Sequence, residues 1–258
     1  MIKRILSTFL VSSAIFVVAI TNSMADRPTF AVGYSAAFGG YFASGQENEG
    51  GAWTIAGAAG KGQTPQEINK DTAAGEIGYS SLFLEVSFAD RVTLGASWMA
   101  DAVETDMSER TDNLCSQPAA GQPAHIGDIG CSGSNSGNDT GTSTAKAEFS
   151  NLITTYVELN IWNGLYAKYG IMEMDVETKE SLHTDSSYPN ATMDGTTYGL
   201  GWKGSFDNGV FIKTETLMQD WSKLKITSDG NYTNHANDTS VELNLTGAIA
   251  QISIGKAF

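Results

Sequence analysis

Residues 153–171 read ITTYVELNIWNGLYAKYGI, from Ile153 to Ile171, and their spacing decides the fold. Ile153, Thr155, Val157, Leu159 and Ile161 occupy every second position, against Thr154, Tyr156, Glu158 and Asn160. A period of two marks a strand with one greasy face, because successive side chains leave a pleated backbone on opposite sides. Asn163-Gly164 follows, and Leu165, Ala167, Tyr169 and Ile171 then resume the alternation. Asn-Gly supplies the positive φ that a two-residue turn between twisted strands requires, so this segment is a β-hairpin.

Working outward, the same alternation recurs. Phe30, Val32, Tyr34, Ala36, Phe38 and Phe42 oppose small residues between Thr29 and Gly39. Leu82, Leu84, Val86 and Phe88 lead through Ala89-Asp90-Arg91 into Val92, Leu94, Ala96 and Trp98. Tyr198, Leu200, Trp202 and Phe206 lead through Asp207-Asn208-Gly209 into Val210, Ile212, Thr214 and Met218, and Ala248, Ala250, Ile252, Ile254 and Phe258 close the chain. Eight strands result, or ten if Trp53 to Ala56 adds a hairpin. Three connections are short, whereas long ones are expected at about 43–71, 104–143, 182–194 and 227–239.

Ahead of the strands, Lys3 and Arg4 precede an uncharged apolar run from Ile5 to Ile20, then Ser23-Met24-Ala25. This is the pattern of a secretory signal peptide over residues 1–25 with cleavage between Ala25 and Asp26, leaving residues 26–258 as one domain. The full chain carries 29 acidic against 15 basic side chains, a formal charge of −14. Such a balance excludes a phosphate-neutralising nucleic-acid binder. A content of 41% hydrophobic and 10% aromatic residues excludes a disordered chain. Beyond the leader no apolar run is long enough for a spanning helix, so a membrane can be crossed only by strands. Strands in lipid must pair every backbone group, which requires a closed ring. The expectation is an all-β, closed, antiparallel up-and-down transmembrane barrel with short periplasmic turns and long extracellular loops. The same alternation also fits a secreted soluble barrel with its large side chains pointing inward.

Phe30, Phe88, Phe206 and Phe258 fall at strand ends beside the short turns, where an interfacial girdle belongs. This architecture, with the terminal segment Ala248 to Phe258, resembles the small eight-stranded bacterial outer-membrane barrels of the OmpA or OmpX type. The resemblance implies that Ile252, Ile254 and Phe258 form the signal read by the barrel-assembly machinery; Lys256 departs from the large apolar residue often found there. It also implies an outer-membrane location among lipid and lipopolysaccharide.

If the greasy face meets lipid, the other face lines the lumen and carries Glu85, Glu158, Glu215, Lys168, Lys203 and Lys213. Isolated charges in a narrow lumen cost several kcal/mol each, about enough to demand pairing. Three acids and three bases therefore read as a charge-balanced plug in a monomeric barrel with an envelope structural or surface-interaction role. A small porin and, more remotely, a lipid-modifying enzyme are the other readings. No cofactor and no metal are expected: His125, His183 and His235 lie far apart in the sequence without metal-ligand spacing. Gly199 to Gly204 satisfies G-x-G-x-x-G but lies inside a strand. Cys115 and Cys131 are expected to form a disulfide across the longest connection, in an oxidising compartment. That connection is acidic, with Glu104, Asp106, Glu109, Asp112, Asp128 and Asp139, which reads as a solvated surface or as one that recruits cationic partners.

Overall fold

The computed structural model describes residues 28–49, 67–89, 91–99, 101–115, 138–181, 187–228 and 240–258. These form strands and turns with no helix: β1 (Thr29–Glu49), β2 (Glu67–Phe88), β3 (Val92–Met99), β4 (Val103–Glu104), β5 (Ser108–Cys115), β6 (Asn138–Trp162), β7 (Leu165–Ser181), β8 (Ala191–Ser205), β9 (Val210–Trp221), β10 (Leu224–Thr227) and β11 (Ser240–Ala257). Neighbours pair antiparallel in the order β1-β2-β3-β6-β7-β8-β9-β11, and β11 pairs back onto β1 from Ala31↔Ala257 to Asn48↔Ser240. The sheet is thus a ring of eight, in which β4 and β5 continue β3 along β6, and β10 continues β9 along β11.

The short turns have the backbone their residues favour. Asn163 and Gly164 take φ of 46° and 81°, the left-handed pair of a two-residue hairpin. Glycine is required there, because a Cβ at position 164 would lie 2.3 Å from the Lys203 carbonyl oxygen. Gly209, also at φ 81°, plays the same part between β8 and β9.

Strands intrude on three of the four connections that the sequence suggests are long. Residues 43–49, 67–71, 108–115, 138–143 and 191–194 are ladder residues, so strands run well past the greasy stretches. The reason is a reversal of polarity along the ring. Near the short turns the outside is apolar: Phe30, Leu84, Leu159, Leu200, Trp202, Ile252 and Ile254 are exposed, while the inside is small or charged. Farther along the same strands the outward positions become Glu173, Asp175, Asp194 and Asp220, and the inward ones become Met172, Met174, Val176, Met193 and Trp221. A bulge in β6, with Asn151 at φ 53° and a register shift between Ser150 and Ile153, lies at this boundary. The large side chains of the lower half face away from the axis, opposite to a soluble barrel.

Above the boundary the ring divides. β2 pairs with β3 only up to Ser81↔Met99, and β8 pairs with β9 only up to Gly195↔Trp221. Beyond those points β10-β11-β1-β2 and β4/β5-β6-β7-β8 are two sheets whose strands pair within each sheet, joined at the β8 side by Ser222 N–H and Oγ donating to Asp194 O, each at 2.8 Å. Both contribute to one apolar core: Met99, Leu152, Met172, Met174, Val176 and Met193 from one side, Trp221, Leu224 and Leu245 from the other. Burial of such side chains contributes about 1.5–3 kcal/mol each. This half therefore holds together as a water-facing sandwich does.

The putty-knife fit of aromatic rings against glycines lines the interior. Gly33↔Phe83, Gly95↔Tyr156, Gly201↔Tyr166, Gly195↔Trp221, Gly247↔Tyr41 and Gly255↔Phe211 are direct cross-strand partners. In each pair a Cβ on the glycine would fall within 2.8 Å of the ring. The rings lie flat on the wall, which leaves the axis to longer polar side chains.

Candidate functional site

Five of the six charges read as lumen-facing meet at one place. Lys213 of β9 reaches across the lumen to Glu85 of β2, with Nζ 2.5 Å from Oε1, and also to Glu158 Oε1 of β6. Lys168 of β7 lies 3.8 Å from Glu158 Oε1 and 2.9 Å from Glu215 Oε1 of β9. The chain Glu85–Lys213–Glu158–Lys168–Glu215 crosses the lumen, and every member is at most 7% exposed. The cost of burial that deep is offset where each charge has a partner of the opposite sign and its remaining polar sites are hydrogen-bonded.

Neighbours supply most of those bonds, the exception being Glu85 Oε2, which is buried without a hydrogen-bond partner among the described residues. Tyr156 Oη donates to Glu85 Oε1 at 2.8 Å, Tyr166 Oη donates to Glu215 Oε1 at 2.8 Å, and Gln251 Nε2 donates to Glu215 Oε2 at 2.7 Å. The Lys168 ammonium sits 3.9 Å from the centre of the Tyr156 ring, whose face attracts a cation. Sequence reading placed Tyr156 on the inward face but missed its part, and that of Tyr166 and Gln251. Inward parity beside an acid was the available signal.

Lys203 is not in this chain. Its Nζ lies 4.2 Å over the ring of Phe211, toward the short turns, and among the described residues it makes no ion pair. The two phenylalanines Phe83 and Phe211, 6.2 Å apart at their centroids, pack with Ala31 and Ala257 below the ion-paired groups. The group therefore contains three carboxylates and two ammoniums, not the three-to-three balance expected from the sequence.

On the other side, Ser35 and Ser253 share a hydrogen bond of 2.8 Å and Gln219 donates to Tyr79 Oη at 3.3 Å. A cavity of about 20 Å³ remains between Lys168, Thr197, Gln219 and Gln251 on its polar side and Met99 and Leu152 on its apolar side. That is room for about one water molecule. Among the described residues no set of three or more His, Cys, Asp or Glu side chains is placed to hold a metal ion.

The other sequence-marked residues are placed as follows. Ile252, Ile254 and Phe258 project outward from β11 or just beyond it, exposed by 56%, 56% and 75%. The Lys256 ammonium donates to the Asn208 carbonyl of the adjacent turn, and Phe258 N–H donates to Phe30 O at 2.8 Å, tying the two ends together. Gly199 to Gly204 lie inside β8. Ala25, Asp26, Trp53, Ala56, Asp128, Cys131, His125, His183 and His235 fall outside the described residues, as does the Cys115 side chain.

No protein-family model matches the chain, and a search of curated proteins gives no match. Solved structures similar to it include the outer membrane protein OprG from Pseudomonas aeruginosa, 11% identical with a TM-score of 0.37, covering 87% of this chain and 95% of that one. The outer membrane protease OmpT from Escherichia coli is 8% identical with a TM-score of 0.39, covering 88% and 97%. The attachment invasion locus protein Ail of Yersinia pestis is 12% identical with a TM-score of 0.28, covering 85% and 98%. The chain's own surface places the lower half of the ring in a lipid bilayer. A ring whose paired strands expose Phe30, Leu84, Trp98, Leu159 and Ile254 outside while burying five charges inside is stable only with lipid around it.

Proposed function

We propose that the chain is a closed eight-stranded transmembrane barrel of the OmpA or OmpX-like type whose lumen is plugged, with a structural or surface-interaction role in the envelope and no catalytic one. The plug is supported by one observation above all: Lys213 bridges Glu85 and Glu158 from the opposite wall, with side chains at most 5% exposed. An aqueous path through that level would need these side chains to part, leaving buried charges unpaired at about 3–5 kcal/mol for each broken partner. The eight-membered ring agrees, since a barrel of that size has an interior just wide enough to be filled by side chains.

Residues 1–25 direct export, the assembly machinery inserts the barrel by reading Ile252, Ile254 and Phe258, and lipid and lipopolysaccharide surround a monomer. Cys115 and Cys131 are joined in this reading, and intact mass under non-reducing conditions should lie two hydrogens below the reduced mass. Planar-bilayer recording on the refolded chain decides between plug and porin. Electrical silence is expected; a stable channel in the nanosiemens range would make it a small porin instead.

A further inference from the structure

The seam between the two upper sheets exposes an unusually bare strand. From Glu67 to Ser80, β2 pairs with β1 on one edge and, among the described residues, with nothing on the other. Lys70 to Glu76 are exposed at every position, so neither face is covered either. Across the seam β4 and β5 pair with β6 and, among the described residues, present a second open edge. Among the described residues, the hydrogen bond across this seam is the one that Ser80 Oγ donates to Asp101 Oδ2 at 2.8 Å, at its base. Open edges carry rows of unsatisfied N–H and C=O groups that recruit another strand, and proteins usually blunt them with bulges, prolines or inward charges. Over this stretch β2 has no bulge and no proline; its charges are Glu67, Lys70, Asp71 and Glu76, with Asp71 at inward parity, and between them Ala73, Ala74, Gly75 and Gly78 let a neighbouring backbone approach.

The lips also have a sign. In number, the acids Asp71, Glu76, Asp101, Asp106 and Glu109 exceed the bases Lys70 and Arg110 along these two lips, while Glu104 is already engaged by Lys146 and Lys179. We infer that this seam is a docking site for an extended cationic peptide segment, which adds as a strand to β2 and carries its positive side chains between the acidic lips. Main-chain hydrogen bonds would give the affinity and the lip charges the selectivity. The inference rests on the proposed reading only in taking the divided end of the ring as the one that faces outward.

The test uses the mature chain in nanodiscs of zwitterionic lipid and a fluorescent ten-residue peptide of alternating Lys and Val, with empty nanodiscs as the blank. Expected is saturable binding that weakens at least tenfold when alternate peptide amides are N-methylated, since this removes backbone donors and keeps the charge. Amides of residues 67–80 should become slower to exchange, and the double variant Asp71→Asn, Glu76→Gln should bind several-fold more weakly while keeping its far-ultraviolet spectrum. Absence of binding overturns the proposal. So does binding unaffected by N-methylation, which would be electrostatic adsorption to the surface. Either result leaves bilayer conductance unchanged, so failure here is separable from failure of the plug.

Discussion

Lys213 is the hinge of the buried chain of charges because it alone satisfies two carboxylates from the far wall. Lys213→Met removes a partner from both Glu85 and Glu158 and should cost about 3–5 kcal/mol, read as a lowered urea midpoint in lipid vesicles. Glu158→Gln leaves Lys213 with Glu85 at 2.5 Å and Lys168 with Glu215 at 2.9 Å. It should therefore cost less, about 1–2 kcal/mol. Equal losses would mean that the five groups act as a single network and not as linked pairs. At this scale the sequence is informative about side and silent about reach. Period-two parity put all six charges on the inner face, but it cannot say that Lys203 bends toward Phe211 while Lys213, its direct cross-strand partner, spans the lumen. The glycines opposite Tyr156 and Tyr166 were visible as small inward residues. That each seats a ring whose hydroxyl then serves a carboxylate depends on the pairing register, which one strand's sequence does not contain.

The elements differ in how plainly they are written. The β6–β7 hairpin is legible because Asn163-Gly164 fixes both the turn and, through it, the register of two alternating runs. Gly164→Ala puts a Cβ on a residue at φ 81° and against the Lys203 carbonyl, and should destabilise by at least about 1–2 kcal/mol. The loss should appear mainly as slower refolding if this hairpin forms early, which stopped-flow tryptophan fluorescence would register. The upper strand extensions are not legible, because β5 and the first part of β6 alternate among polar residues on both faces and look like loops. β10 shows what fixes such a piece in place. Lys223, and then Lys225 across the ladder, hold the Glu242 carboxyl below the ordinary carboxylate range by hydrogen bonding. A pKa lowered on folding means that this contact stabilises fully above the ordinary value and is lost as pH falls through the folded one. Amides of β10 should therefore exchange faster relative to those of β9 as pH drops from neutral to about 3, below the usual carboxylate value. An unchanged ratio would show that Leu224 packing alone secures the strand.

At the scale of the whole molecule, one ring obeys two solvation rules. Below the β6 bulge, lipid is the outer solvent and ion pairs are the filling; above it, water is outside and methionine, leucine and tryptophan are inside. The lower half could be read from sequence because its greasy face, small opposite face and tight turns agree with each other. The upper half was hidden because the other strands continue in the same parity, and β6 shifts by one residue at its bulge, while the favoured face changes sides, so a search for one greasy stripe stops at the boundary. Tryptophans mark both regimes. Trp98 and Trp202 are 45% and 50% exposed on the outer wall, whereas Trp221 is 7% exposed within the upper core. In variants retaining one of these three with the remaining tryptophans changed to phenylalanine, brominated lipid chains should quench Trp98 and Trp202 strongly and leave Trp221 nearly unaffected. Aqueous acrylamide should also reach Trp221 poorly, because a core sealed by two sheets excludes both solvents. Strong lipid quenching of Trp221 together with weak quenching of Trp202 would mean that the side chains assigned to the outside of the lower ring point inward, and the buried charges would then have to face lipid, which no pairing among them could sustain.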